Sequence, residues 1–252
     1  MSAERRAEIL ALLKKRGTLY LKELEVLFPQ VSSMTLRRDL DYLEKAGEAI
    51  RIKGGIRLAH PDRMEDVFSL RLAQRQEEKA RIARIAAEYI EPNRSIYIDP
   101  GTTGLNLARL MPDTNLFVLT SGLQVALEVC KKRTPTVNLL GGQINRNNMS
   151  VADPRTVKSL EEYNFDLAFI APAAISLDHG CSNGDYNDCE LKRRIMQKAT
   201  MNIAMADVSK LDKVMPFTFA EFGQIHLLIT DRKPPQHYLD AAEARGIKVR
   251  WE

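Results

Sequence analysis

The sequence predicts an α/β protein: a small helical module closed by a β-hairpin, followed by a larger domain built on a mostly parallel sheet. Three observations predict it. Three short amphipathic segments precede a Gly-Gly hairpin within the first sixty residues, and seven short apolar runs alternate with helical segments further on. The charge is also unevenly shared: residues 1–60 hold 12 of the 37 Lys and Arg but 8 of the 33 Asp and Glu, whereas the other 192 residues hold 25 of each. The basic surplus therefore lies wholly in the small module, as in a nucleic-acid-binding attachment on a neutral domain.

Taken in order, "ERRAEILALLKKRG" places Ile9, Leu12 and Leu13 on one helical face and ends at a glycine, a common helix stop. "LYLKELEVLFP" repeats apolar positions at Leu21, Leu24, Leu27 and Phe28 before Pro29 ends the helix. In "VSSMTLRRDLDYLEKAG", Ser32 or Ser33 caps a third helix, Leu36, Leu40 and Leu43 form its buried stripe, and Gly47 closes it. "AIRIKGGIRLA" alternates Ile50 and Ile52 with Arg51 and Lys53, turns at Gly54-Gly55, and continues with Ile56, Arg57 and Leu58, which predicts a hairpin with one basic face. Three helices followed by such a hairpin make a winged helix-turn-helix. Its third helix enters a major groove, so Ser33, Thr35, Arg37 and Arg38 are the candidate reading residues, and Arg51, Lys53 and Arg57 of the wing are candidates for the flanking backbone. The expected partner is duplex DNA.

A charge-rich stretch, "AHPDRMEDVFSLRLAQRQEEK", follows, and then a helix whose buried face is Ile82, Ile85, Ala86 and Tyr89. The expected division is a winged helix-turn-helix over 1–60, a linker over 61–75 that serves as a hinge or a dimer helix, and an α/β ligand-sensing domain over 76–252. In that domain "SIYID", "LFVLT", "TVNLLG", "DLAFIAP", "NIAMAD", "HLLIT" and "IKVRW" read as strands buried on both faces, separated mostly by helical segments. Ligands in open sheets of this class bind beyond the strand ends. There "IYIDPGTTG" offers Asp99, Gly101, Thr102 and Thr103, Ser121 follows "LFVLT", "LLGG" supplies Gly141 and Gly142, and "ADVSK" supplies Lys210. Backbone N–H groups at a helix start, hydroxyls and a lysine suit an anion of phosphosugar size.

Other classes are disfavoured. No apolar run approaches the ~20 residues of a membrane helix. The first helix lacks the apolar core and cleavage site of a signal peptide, and Cys130, Cys181 and Cys189 are odd in number and irregularly spaced. A cytoplasmic, reduced chain with no membrane partner is expected. His179, Cys181 and Cys189 lack metal-ligand spacing, so neither a metal nor a cofactor is expected.

These residues carry a resemblance. "LKELEVLFPQVS", "TLRRDLDYLEKAG" and "IRIKGGI" resemble the DNA-binding segment of the DeoR family of bacterial transcriptional repressors. Asp99 to Thr103, Leu140 to Gly142, Asp166 to Ile170, Glu190 to Arg193 and Ala206 to Lys210 follow the order of that family's C-terminal motifs. The resemblance implies a sensor domain related to ribose-5-phosphate isomerase, with Glu190 and Lys192 among its ligand contacts. It further implies a repressor of a sugar-metabolism operon, released or retuned by a phosphorylated sugar or related metabolite. Two-fold operators call for a homo-oligomer, a dimer or tetramer. Asp153 stands where the family usually carries Gly, and an added carboxylate there predicts repulsion of an anionic ligand.

The alternative is an active sugar-phosphate isomerase with a regulatory N-terminal domain. Such an enzyme needs carboxylates poised to move protons, and the stretch after "DLAFI" offers Ala171, Pro172, Ala173, Ala174 and Ile175 instead. The expectation is a sensor that holds its ligand without converting it.

Overall fold

The computed structural model describes residues 2–16, 18–46, 48–58 and 68–252. Gly17 and Gly47, the expected stops of the first and third helices, lie outside the described residues, as do 59–67, which include 61–67 of the expected linker. The described chain divides into two units, one built on the residues up to 58 with 69–74, the other on residue 68 with 75–252.

The first unit runs α1 (Ser2–Arg16), β1 (Thr18–Tyr20), α2 (Leu21–Leu27), α3 (Ser33–Lys45), β2 (Ala49–Ile52) and β3 (Gly55–Leu58). Ile9 and Leu13 of α1, Leu24 of α2, and Leu36, Leu40 and Leu43 of α3 meet Leu19, Ala49 and Ile56 from the strands in one core. Each such aliphatic side chain is worth about 1.5–3 kcal/mol when fully buried, so this cluster is what holds the helices together. Pro29 and Gln30 form the turn before α3, closed by the Val31 N–H on the Phe28 carbonyl at 2.9 Å. Ser32 is the residue that caps α3, its hydroxyl oxygen accepting from the Thr35 N–H at 3.3 Å.

The hairpin differs from its expectation in three respects. It belongs to a three-stranded sheet, ordered β1-β3-β2. The glycines also divide the work: Gly54 takes φ +81 in the turn, whereas Gly55 opens β3, where a Cβ would come within 2.4 Å of the Leu19 carbonyl oxygen on β1. The basic residues do not share a face. Arg51 pairs in register with the core residue Ile56, and Arg57 with Ile50. Because Ala49 points into the core, strand parity sends Arg51 to the core side and Arg57 to the other. There the Arg51 guanidinium meets Asp41 on α3 at 3.2 Å.

Among the described residues of this unit, one polar side chain is buried. Asp39 of α3 accepts from Arg5 Nε at 2.6 Å and Arg6 Nε at 2.8 Å, tying α1 to α3, and the Arg6 guanidinium lies 4.0 Å from the centre of the Tyr42 ring. Asp39→Asn leaves two guanidinium groups facing a neutral amide. It is expected to destabilise the unit by about 2–3 kcal/mol, the partly exposed arginines softening the usual cost of breaking a buried pair, and thermal unfolding measures it.

After α4 (Phe68–Ala73), the second unit begins with α5 (Gln76–Ala87), which buries Ile82, Ile85 and Ala86. Then follow β4 (Arg94–Ile98), α6 (Thr102–Leu110), β5 (Leu116–Thr120), α7 (Leu123–Val129) and β6 (Thr136–Leu139). A short β7–β8 hairpin (Ile144–Asn145, Ser150–Val151) and α8 (Pro154–Ser159) lead to β9 (Phe165–Ile170). Beyond it come β10 (Ala174–Ser176), β11 (Gly180–Asn183), α9 (Tyr186–Lys198), β12 (Ala199–Met205), β13 (Phe217–Ala220), β14 (Leu227–Thr230), α10 (Gln236–Glu243) and β15 (Lys248–Trp251).

All seven runs expected as strands join one sheet, ordered β15-β14-β12-β9-β4-β5-β6, and every neighbouring pair is parallel. A second, antiparallel sheet, β10-β11-β13, was not expected. The chain builds outward from β4 through β5 to β6, then returns to the other side of β4 with β9 and builds the opposite way. The order therefore reverses between β4 and β9, which opens a crevice beyond their carboxyl ends. No helix among the described residues is long and apolar enough to cross a membrane.

Candidate DNA-binding face and ligand site

α3 turns about 100° per residue, which separates two faces. Leu36, Asp39, Leu40 and Leu43 are buried, while Met34, Arg37 and Arg38 are exposed. Among the described residues, the side chains of Arg37 and Arg38 make no hydrogen bond or ion pair, and neither do those of Lys53 at the hairpin tip and Arg57 on β3. Four cationic groups thus stand uncommitted in water, where a polyanion can take them at little desolvation cost. The other three expected contacts are engaged internally. The Ser33 hydroxyl donates to Glu25 Oε1 at 2.5 Å, the Thr35 hydroxyl lies 2.9 Å from that of Ser32, and Arg51 is held by Asp41.

The second unit concentrates charge at the crevice. Asp99, directly after β4, is fully buried. Its Oδ2 accepts the Ala171 N–H from the end of β9 at 2.9 Å and the Lys192 ammonium from α9 at 2.9 Å. Lys192, only 3 % exposed, also lies 3.2 Å from Asp188 Oδ2, one helical turn before it. Asn183 at the end of β11 donates to the same Asp188 oxygen at 2.6 Å and accepts the Ala173 N–H at 2.8 Å. Two carboxylates thus share one ammonium inside the protein. Asp99 Oδ1 is buried without a hydrogen-bond partner, an uncommon state for a carboxylate oxygen. Burial pushes the Asp99 carboxyl up to about 6; Lys192 opposes that shift and Asp188 adds to it.

Gly101 caps α6 immediately beyond, and Thr102 and Thr103 form the first helical turn. Gly104 lets the helix lie against the strand end, since a Cβ there would come within 2.0 Å of the Asp99 carbonyl oxygen. The first turn of α6 therefore presents free N–H groups beside Asp99.

The remaining expected residues are placed differently. Ser121 follows β5, the next strand, but its buried hydroxyl lies 2.9 Å from the Tyr97 phenol. Gly141 and Gly142 follow β6, and Lys210 lies after β12; each is two strands from β4, on opposite sides. At ~4.8 Å per strand that separates the two loops by about 20 Å along the sheet edge, further than one phosphorylated sugar reaches. Gly142 has a packing reason of its own: a Cβ would come within 2.4 Å of Thr156 Oγ1 and 2.6 Å of Asp153 Oδ2.

Two expectations need correction. Glu190 does not join Lys192: two residues apart on a helix means about 200°, and Glu190 pairs with Arg193 instead. The α9 carboxylate that joins Asp99 on Lys192 is Asp188, four residues earlier, and an acidic residue at that helical spacing was its signal in the sequence. Asp153 does not add a loose negative charge. It caps α8, accepting from the N–H groups of Gln143 at 2.7 Å, Arg155 at 2.7 Å and Thr156 at 3.1 Å. Those bonds, that of Gln143 foremost, hold its carboxyl below the usual range, and its charge is spent on the helix start and the Gly141–Gly142 loop.

Cys181 and Cys189 are buried, with Cys189 Sγ 3.2 Å from the Phe217 carbonyl oxygen. No group of three metal-ligating side chains occurs among the described residues.

The buried carboxylate makes a pH prediction. A carboxyl raised to about 6 in the folded chain, against about 3.9 unfolded, binds its proton more tightly when folded. Its contribution is fully present below pH 4 and is lost as pH rises through 6. Asp99→Asn does not titrate, so the stability of the parent relative to Asp99→Asn should fall by ~2–3 kcal/mol between pH 4 and 7. Thermal unfolding of both proteins across that range measures it; parallel curves would contradict the assignment.

Comparison with known proteins accounts for both units. Residues 5–62 match the DeoR-like helix-turn-helix domain, and residues 74–232 match the DeoR C terminal sensor domain. The chain is 32% identical to the HTH-type transcriptional repressor GlcR of Bacillus subtilis, over 98% of this chain and 95% of that protein. It is 30% identical to the HTH-type transcriptional regulator IolR of the same organism, over 92% of each. A ribose 5-phosphate isomerase A from Methanocaldococcus jannaschii aligns over 53% of each chain at 15% identity and a TM-score of 0.40, too partial a likeness to support a conclusion. A basic winged helix-turn-helix joined to a parallel-sheet unit, both matched to one family across nearly the whole chain, places this protein in the DeoR family of DNA-binding transcriptional regulators.

Proposed function

We propose that the chain represses a sugar-metabolism operon and that a phosphorylated sugar or related metabolite, held at the β4–β9 crevice, retunes its affinity for operator DNA. The division of labour is a DNA-binding domain over 1–60, a linker over 61–75 and a sensor domain over 76–252. Duplex DNA meets α3 through Arg37 and Arg38 and the wing through Lys53 and Arg57, and the pairing of two such modules on a two-fold operator calls for a homo-oligomer in the cytoplasm. The repressor named among the relatives supports the direction of control.

The observation that carries the ligand reading is Asp99 Oδ1, a buried acceptor with no partner, at the reversal point of the sheet beside the first turn of α6. A sugar hydroxyl satisfies the carboxylate, and the α6 N–H groups with the Thr103 hydroxyl receive the phosphate. Ligand binding changes DNA affinity only by as much as the ligand discriminates between two arrangements of the chain.

The test is a gel-shift of the full chain on its own upstream DNA, across a panel of phosphorylated sugars at fixed salt, since phosphate contacts make such affinities steeply salt-dependent. One sugar phosphate is expected to move the binding curve. Unmoved curves across the panel would count against the effector class, and absence of specific DNA binding against the operator reading.

A further inference from the structure

Met34 is the second residue of α3 and is 62 % exposed. Counting 100° per residue, it lies about 155° from the centre of the stripe formed by Leu36, Leu40 and Leu43, on the outward face. Arg38 lies one turn further along the same face, with Arg37 beside it. The hydroxyls that flank Met34 in sequence are taken by neighbouring side chains, Ser33 by Glu25 and Thr35 by Ser32. The outward tip of the helix therefore presents a single thioether side chain, followed by two uncommitted guanidinium groups.

Each part of that arrangement has a counterpart in a major groove. Guanidinium forks match phosphates or the paired acceptors of guanine. The groove's distinctive apolar feature is the 5-methyl group of thymine, which sets T·A apart from C·G. Methionine is unbranched and polarisable, so it reaches into a groove and adapts its contact.

We propose that Met34 reads the 5-methyl group of a thymine in each operator half-site and so sets base preference at that position. This rests on α3 being the helix that enters the groove. The remaining α3 contacts supply charge and orientation; Met34 supplies discrimination that charge cannot.

The experiment titrates the full chain, by fluorescence anisotropy at fixed salt, against duplexes of its own upstream region. Each thymine in turn is replaced by deoxyuridine, which removes the methyl group alone. For the parent, one position per half-site should weaken binding about fourfold, the worth of one buried methylene at ~0.8 kcal/mol. Met34→Ala should bind the thymine duplex more weakly by a similar factor and be indifferent to deoxyuridine there, while Met34→Leu keeps the sensitivity. A scan in which no position weakens the parent more than Met34→Ala overturns the proposal. Arg38→Ala separates the two readings. If it binds as tightly as the parent, α3 does not enter the groove and the proposal falls with that reading; if it weakens binding while the deoxyuridine scan is flat, only the methyl contact falls.

Discussion

The double variant Arg37→Ala/Arg38→Ala is expected to bind operator duplex about 30- to 25,000-fold more weakly than the parent at equal salt, from ~1–3 kcal/mol for each of two well-formed arginine contacts. Both side chains are exposed, lie outside the core stripe and are paired with nothing among the described residues, so their removal leaves the fold of α3 intact. The loss should be visible in the salt dependence as well. An arginine on a phosphate contributes about one to the slope of log affinity against log salt, whereas an arginine on a base edge changes preference at one base pair. Measuring single and double variants at several salt concentrations assigns each role. Arg51→Ala should cost less than either, because Asp41 already occupies its guanidinium and the hairpin register turns it away from Arg57. Affinity of the double variant equal to the parent's would contradict the placement of DNA on α3.

The second large effect concerns Lys192. Lys192→Met keeps the stem of the side chain but leaves Asp99 and Asp188 buried without their shared ammonium. Breaking a buried ion pair on one side costs about 3–5 kcal/mol, because the remaining charge is stranded. Two carboxylates are stranded here, so the upper part of that range is expected at pH 7, and α9 should come loose from the ends of β4 and β9. The cost should shrink as pH falls from 7 to 5, since the Asp99 carboxyl, already up at about 6 in the parent and pushed higher without Lys192, then takes up a proton and stops being a charge. Thermal unfolding of parent and variant at the two pH values reads both statements. A destabilisation that is equal at pH 5 and pH 7 would show that the stranded charge is not what the substitution costs.

The parallel sheet was legible because its strands are buried on both faces. "SIYI", "LFVLT", "FDLAFI" and "NIAM" are runs with little polar interruption, and their spacing leaves room for crossover helices. β10, β11 and β13 were not, since three or four residues of mixed polarity make no period, and β13 finds its partner 34 to 39 residues back along the chain across a register shift. β1 was hidden in the same way: Thr18–Tyr20 becomes a strand only because β3 returns beside it, and Gly55, which admits the Leu19 carbonyl, was read as part of a turn.

At the candidate sites, residue types were easier to read than directions. Arg51 and Arg57 look alike in "IRIKGGIRL", yet a small core residue, Ala49, fixes the parity that parts them. Lys192 was found, but it was grouped with a neighbour in sequence rather than a neighbour on the helix. Only once Tyr186–Lys198 is one helix does a spacing of four bring Asp188 to it and a spacing of two turn Glu190 away. Asp153 shows the converse, for a carboxylate that reads as ligand chemistry is consumed by capping α8.

The coupling of the crevice to DNA affinity is tested most directly by titrating operator duplex with parent and Asp99→Asn, each with and without the sugar phosphate that moves the parent's curve. Asp99→Asn keeps the shape of the side chain but removes the charge opposite Lys192 and, with its amide oxygen kept on the Ala171 N–H and Lys192, puts an NH2 donor where the unpartnered oxygen stood. Both proteins are expected to bind DNA alike without the sugar, and only the parent's affinity should shift when it is added. An equal shift in both would place the effector away from Asp99 and contradict the account.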